Sequence, residues 1–77
     1  MRNVTISRQE LINAYQESLG VEGAERLIAQ TLQKAKFAVD KKEFSKTEAL
    51  KICRELKQYP GFIGIIGSIL NSRIVIK

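Results

Sequence analysis

The side chains that usually carry out acid–base and nucleophilic chemistry are nearly missing from this chain. It has no histidine and one cysteine, Cys53. Without histidine, the usual general base of an enzyme at neutral pH is absent. A cysteine nucleophile also needs a neighbouring base or cation to form its thiolate. Cys53 lies on the apolar face of a predicted helix, where we expect a small buried hydrophobe. The sequence therefore predicts a protein that is not an enzyme and has no catalytic residues.

Metal and nucleotide sites are not indicated either. A structural zinc site needs about four Cys or His ligands, and the chain offers one. Residues 40–51 lie between two predicted helices, as a calcium-binding loop does, but Lys51 stands at the twelfth position, where a bidentate glutamate belongs. Gly61, Gly64 and Gly67 match neither the dinucleotide-binding pattern nor the phosphate-binding loop. We therefore predict no metal and no cofactor.

Positive charge is concentrated in the middle of the chain. The net charge is +5, and residues 34–57 hold eight Lys or Arg against four Asp or Glu. A basic loop and helix face of this kind could contact the phosphates of a nucleic acid. The candidate contacts, for a nucleic acid or another acidic partner, are Lys41, Lys42, Lys46, Lys51, Arg54 and Lys57. Because acids are interleaved at salt-bridge spacing, as in Lys51 and Glu55, an ordinary solvated face is the favoured interpretation.

The segment from Phe62 to Ile76 is the most apolar part of the chain, and Arg73 is its only charged residue. If it is helical, its large apolar side chains point nearly all round the axis, and a helix of that kind must be enclosed. We therefore expect a central helix, covered by the rest of the chain and by a second copy. The predicted oligomer-interface residues are Phe62, Ile65, Ile66 and Ile69.

Two capping boxes mark helix starts. Ser7 is followed by Glu10, and Ser45 by Glu48, so that each serine can accept from the glutamate amide and each glutamate can bond back. Glycine at position 20 and the Pro60–Gly61 pair are stop signals. With the apolar spacing, these signals predict an all-α fold, a small four-helix domain whose apolar C-terminal helix is packed centrally. The predicted helices are Arg8–Leu19, Ala24–Phe37, Lys46–Tyr59 and Phe62–Ser72.

The two chain ends are rich in β-branched residues, and their large apolar side chains recur at every second position. Met1–Ile6 and Arg73–Lys77 could each form a short strand, and the two could pair with each other or across a dimer. The alternative is that the last helix continues to the end of the chain.

Size determines the rest of the prediction. Seventy-seven residues make a single domain, and a chain this short gains little stability from burial unless disulfides, a metal or a partner are added. With disulfides and metals excluded, we expect a homo-oligomer, with a dimer favoured. No apolar run reaches the roughly 20 residues needed to span a bilayer, and no signal peptide is evident, so we expect a cytoplasmic protein. The predicted function is a regulatory or protein-interaction module with an unidentified protein partner, and the alternative is a nucleic-acid-binding accessory protein.

Overall fold

The computed structural model describes residues 4–77 as a predominantly helical domain with one small β-ribbon. Its elements in chain order are β1 (Thr5–Ser7), α1 (Arg8–Lys34), β2 (Glu43–Ser45), α2 (Lys46–Lys57) and α3 (Phe62–Val75). The broad prediction of an all-α domain with short strands is confirmed, whereas the predicted count of four helices is wrong.

The β-ribbon joins the N-terminal segment to the loop before α2. The strands β1 and β2 are antiparallel, with Ile6 opposite Phe44, and both of these side chains are buried. Each strand leads directly into a helix, because Ser7 caps α1 and Ser45 caps α2. The Ser45–Glu48 pair forms the complete capping box, with both hydrogen bonds present. The ribbon therefore fixes the starts of two helices side by side.

The predicted strand Met1–Ile6 is confirmed at Thr5 and Ile6, and β1 extends one residue further, to Ser7, while residues 1–3 of that prediction lie outside the described residues. The predicted C-terminal strand is wrong. Its first residues continue α3 to Val75, which was the alternative prediction. Ile74 is buried in the core from this helical position, so β-branched residues are accommodated here by packing on one helix face.

The helix α1 replaces two of the predicted helices. Only Gly20 has non-helical dihedral angles, with φ 75° and ψ 170°, and the helix resumes at Val21. This φ value is one that a glycine adopts without steric cost. The predicted stop after Leu19 therefore corresponds to a kink, and the predicted link of residues 21–23 is helical.

Lys36 ends α1 in a left-handed conformation. Its φ is 64°, and it is the one non-glycine residue with positive φ in residues 4–77. The amide of Lys36 donates to the carbonyl of Gln33, and the amide of Phe37 donates to that of Leu32 at 2.8 Å. These two bonds form a Schellman motif, in which glycine is the usual residue at the position of Lys36. The motif ends the helix at Lys34, and so the prediction that the helix continues to Phe37 is wrong.

The glycines of α3 allow it to pack closely against α2. A Cβ atom on Gly64 would lie 2.3 Å from the carbonyl oxygen of Tyr59, and one on Gly67 would lie 3.0 Å from the Cβ of Leu56. The end of α2 at Lys57, two residues before the predicted end, leads into the turn that brings the two helices together. Glycine is therefore required here by the close approach of two backbones.

The core lies between α1, α2, the ribbon and one face of α3. Its large side chains come mainly from α1 and α2, while α3 contributes Leu70 and Ile74 together with the two buried glycines. Within one copy, the C-terminal helix is therefore not the centre of the fold, and its cover by a second copy stays a prediction. The small face of α3 is buried, because only glycine permits this approach to α2, and the isoleucine-rich face is left at the surface.

Candidate protein-interaction site

The outer face of α3 carries a row of exposed apolar side chains. Phe62, Ile65, Ile69 and Ile76, hereafter the α3 stripe, are 46%, 64%, 48% and 84% exposed. Their spacing of three, four and seven residues is that of a heptad seam. Ser72 lies at the position where the same spacing would put another apolar residue. An exposed apolar row in one line on a rigid helix is a typical protein-interaction surface.

Contacts behind the stripe fix the helix in place. The Tyr15 hydroxyl donates to the carbonyl of Ile63 at 2.8 Å. Burial raises the pKa of this hydroxyl far above its usual value, so Tyr15 remains a donor at any physiological pH. Leu70 and Ile74 anchor the second half of the helix in the core. The stripe is therefore presented by a helix that is held along its length.

Three of the four predicted interface residues, Phe62, Ile65 and Ile69, lie in the stripe. The fourth, Ile66, is half-buried and packs against the core. Ile76 is not among the predicted interface residues, because it belongs to the predicted C-terminal strand. The signal for it was present, since Ile76 follows Ile69 by two helical turns on the same face.

Arg73 is the one charged residue of α3 and lies beside Ser72 at the edge of the stripe. Within residues 4–77, the two ion pairs closer than 4.0 Å are Lys41–Glu48 and Lys77–Glu10, so Arg73 has no carboxylate partner there. The α3 stripe is thus an apolar row with one cation at its C-terminal half.

A cleft of about 320 Å³ lies between the first half of α1 and the end of α3. Ile6, Leu11 and Ile74 are among the residues on its apolar floor, and the Lys77–Glu10 ion pair, with an N–O distance of 2.9 Å, stands at its rim. Asn13 and Arg73 are the other polar side chains of the lining, so the cleft carries one cation, Arg73, outside the Lys77–Glu10 pair.

The predicted basic residues are not all brought together. Lys51 and Arg54 line a shallow depression of about 250 Å³ with Lys34 and Lys36, and Glu55 is the one acid in its lining. Lys34 and Lys36 belong to the basic region of the sequence but not to the predicted contact set. Their position could not be assigned without knowing how α1 ends.

The other predicted basic residues are directed elsewhere. The ammonium group of Lys41 lies 2.8 Å from Glu48, and Lys46 donates to the backbone carbonyl of Lys77 at 3.1 Å. Lys42 and Lys57 are exposed outside the depression. The hydrogen bonds from Lys41 and from the Ser45 amide lower the pKa of Glu48, so Glu48 is ionised and holds Lys41 in the loop.

Cys53 is fully buried, as predicted. Burial raises the pKa of its thiol to about 11, partly opposed by the charge of Lys57, so the thiol is protonated at neutral pH. In the part of the chain that the structure describes, His, Cys, Asp and Glu form no group of three or more that could hold a metal ion. Among the same residues, no helix has the length and apolarity needed to cross a membrane.

Comparison of the chain with family models, with curated proteins and with solved structures gives no significant match. The surface chemistry of the domain is therefore the basis for assigning its function.

Proposed function

We propose that this protein is a non-enzymatic interaction module that forms a homodimer through the α3 stripe. The observation that carries the proposal is the exposure of four large apolar side chains in one line on a helix whose opposite face is firmly packed. The protonated, buried Cys53 supports the non-enzymatic part of the proposal. A free thiol also fits the cytoplasmic setting expected for such a module.

The exposed area of the stripe would form the apolar centre of an interface. The stripe exposes roughly 400 Å² of apolar surface, which lies within the usual range for the largest apolar patch of a monomer, a patch that is often functional. A standard interface buries about 800 Å² per partner, including its polar rim. The total accessible surface of the described residues is 5100 Å². Such an interface would therefore remove a large fraction of the surface of this small chain and stabilise it.

A second copy fits the stripe better than an acidic or basic partner does. The stripe is a heptad-like seam, and the matching surface for such a seam is another helix with the same spacing. The helix α3 carries one charged residue, Arg73, and contains no aspartate or glutamate. A homodimer therefore brings apolar surface against apolar surface without burying a carboxylate.

The test is the molar mass in solution, measured by light scattering after size exclusion over a range of protein concentrations. We expect a dimer for the native chain and a folded monomer for Ile69→Glu, because Ile69 is half-exposed and its side chain can remain in water when the dimer is lost. Circular dichroism of the variant distinguishes a folded monomer from an unfolded chain.

Two other positions supply the controls. Gln30→Glu places the same charge at an exposed position of α1, away from the stripe, and is expected to leave the dimer intact. Leu70→Glu places it in the core and is expected to unfold the chain. A native chain that remains monomeric at high concentration would contradict the proposal.

A second candidate function, binding of nucleic-acid phosphates, is favoured by one observation at the end of α1. Lys36 occupies a left-handed position that costs a non-glycine residue about 1–2 kcal/mol. The strained backbone places Lys36 with Lys34, Lys51 and Arg54 around one shallow depression. A lysine kept at a glycine position is explained if its charge contributes to binding an anionic backbone.

This candidate is tested by fluorescence anisotropy with a short labelled duplex at several salt concentrations. Lys36→Gly removes the charge and relieves the strain, so weaker binding cannot result from unfolding. Each lost phosphate contact is expected to reduce the slope of log affinity against log salt by about 0.9. Arg26→Gln removes one exposed charge of α1 outside the depression and serves as the control. Equal slopes for the two variants would rule the depression out.

A further inference from the structure

The α3 stripe is asymmetric along the helix. Its N-terminal end carries the largest side chain, Phe62, and its C-terminal half carries a small residue in the seam, Ser72, with Arg73 next to it. Ile65 and Ile69 lie between them, and Ile76, the most exposed residue of the stripe, follows one turn after Ser72. The two halves of the stripe therefore differ in side-chain size and in charge, and this difference determines how two copies can pair.

Resting on the proposed dimer, we infer that the two α3 helices pack antiparallel about a two-fold axis, with Phe62 of each copy over Ser72 and Arg73 of the other. In an antiparallel heptad pair each first seam position faces the second seam position of the partner. Placing Ile65 opposite Ile69 of the partner subunit also places Phe62 opposite Ser72 of the partner subunit. The large ring then fills the space that the small serine leaves, and Ile76 extends one turn past Phe62 of the partner subunit without a seam residue opposite it.

The charge on Arg73 favours the same arrangement. In the antiparallel pair the guanidinium group lies beside the Phe62 ring of the other copy, which is a favourable cation–π position. The two Arg73 residues are then about 18 Å apart along the axis, at a rise of 1.5 Å per residue. That separation exceeds the Debye length at physiological salt, so their repulsion is screened.

The parallel arrangement lacks these complementary contacts. With the helices in register, Phe62 meets Phe62 of the partner subunit and Ser72 meets Ser72 of the partner subunit. The first pair crowds two large rings, while the second leaves a polar gap in the seam. Both Arg73 side chains would also lie at the same level of the pair. Size and charge therefore disfavour a parallel dimer.

Disulfide trapping distinguishes the two arrangements. We would compare Ser72→Cys with the double variant carrying Phe62→Cys and Ser72→Cys, oxidise each under mild conditions, and identify the linked peptides by mass spectrometry. A disulfide needs Cα atoms within about 7 Å, whereas positions ten residues apart on a helix are separated by about 15 Å. Native Cys53 can remain, because it is buried and its thiol is protonated.

The antiparallel pair predicts no cross-link for Ser72→Cys and a link between positions 62 and 72 of different chains for the double variant. A parallel pair predicts that Ser72→Cys links to itself. Light scattering on the native chain tests the dimer separately from the orientation of its helices. A monomer would overturn both the proposed function and the antiparallel pairing. A dimer that links through two copies of position 72 would overturn the pairing alone, as would a double variant that is dimeric by light scattering before oxidation but gives no 62–72 link after it.

Discussion

Lys36 is a single residue at which sequence preference and structure disagree. The Schellman motif at the end of α1 needs positive φ at this position, and glycine meets that need without the steric cost that a side chain incurs. The two residues before it, Lys34 and Ala35, are ordinary helix formers, so the local sequence does not indicate that the helix ends here. The helix ends there because Phe37 turns back to pack near Phe44, with ring centroids 6.1 Å apart.

Lys36→Gly should therefore stabilise the domain. Relief of the left-handed strain outweighs the extra freedom of glycine in the unfolded chain, and we expect a gain on the order of 1 kcal/mol in the free energy of unfolding. Urea denaturation monitored by circular dichroism measures it. Gln33→Gly, at an exposed position in the last turn of α1 and in helical geometry, should instead cost about 1 kcal/mol. Equal losses of stability in Lys36→Gly and Gln33→Gly would contradict the strain at Lys36.

Glu48 predicts a pH dependence of stability. Hydrogen bonds from Lys41 and from the Ser45 amide lower its pKa in the folded chain below the usual value of 4.5. A group whose pKa is lower when folded contributes stability above its unfolded pKa, and that contribution is lost as the pH falls through the folded pKa. We therefore expect the free energy of unfolding to decline as the pH drops below about 4.5.

The matched variant for this prediction is Glu48→Gln, which keeps an oxygen for the Ser45 amide but cannot ionise. Its unfolding free energy, measured by urea titration at pH 7 and at pH 3, should change less between the two values than that of the native chain. If the native and variant proteins lose the same stability on acidification, the ion pair with Lys41 does not contribute.

At the scale of elements, the helix starts could be predicted and several helix ends could not. Ser7 and Ser45 cap α1 and α2 where the capping boxes place them, because a start is encoded within four residues. The kink at Gly20 also lies where the glycine indicated a break. Whether the chain stops there or resumes as helix depends on tertiary packing, and the burial of Ala24 and Leu27 favours resumption.

Neither the partner strand of β1 nor the orientation of α3 could be predicted from short sequence patterns. The partner of β1 is a three-residue strand in a loop of mixed charge, and only the burial of Phe44 beside Ile6 explains it. For α3, composition identified an interaction helix, but its apolar residues occur all round the axis. The face that packs inward is decided by the glycines, and that choice leaves Ile65 and Ile69 outside.

Alanine substitutions at the glycines test this account of α3. Gly64→Ala should cost about 3 kcal/mol, because its Cβ would meet the Tyr59 carbonyl oxygen at 2.3 Å and backbone cannot move aside easily. Gly67→Ala should cost roughly 1 kcal/mol, since its contacts of 3.0–3.1 Å need small shifts and alanine favours the helix. Thermal unfolding ranks the variants.

Ser68→Ala is the control for helix propensity, because Ser68 lies in α3 at an exposed position and gains only the intrinsic preference of alanine. If Gly64→Ala were as stable as Ser68→Ala, a Cβ atom at position 64 would not clash with the carbonyl oxygen of Tyr59. The chain before α3 would then lie farther from α3 than the 2.3 Å distance implies.

At the scale of the whole molecule, the domain has more apolar helix surface than it can bury by itself. Its core is filled by α1, α2 and the ribbon, and α3 uses its narrowest face to close that core. The glycines thus have two consequences: they bring α3 close to α2, and they turn the large side chains outward. Packing inside one copy and association between copies depend on the same helix, so a variant's effect on each must be measured separately.

Association can be isolated through the Phe62–Arg73 pair. The two residues are eleven positions apart, about 16 Å along α3, so any coupling between them must act across the two copies. We expect Phe62→Leu and Arg73→Gln each to weaken the dimer, and the double variant to lose less than the sum, with a coupling of about 0.5–1 kcal/mol for each pair. Sedimentation equilibrium gives the dissociation constants.

The control combines Phe62→Leu with Lys77→Gln. Their effects on the free energy of dimerisation should be additive, because Lys77 pairs with Glu10 of its own chain. Additivity in the Arg73 cycle as well would place Arg73 away from the partner's ring and contradict the antiparallel pairing.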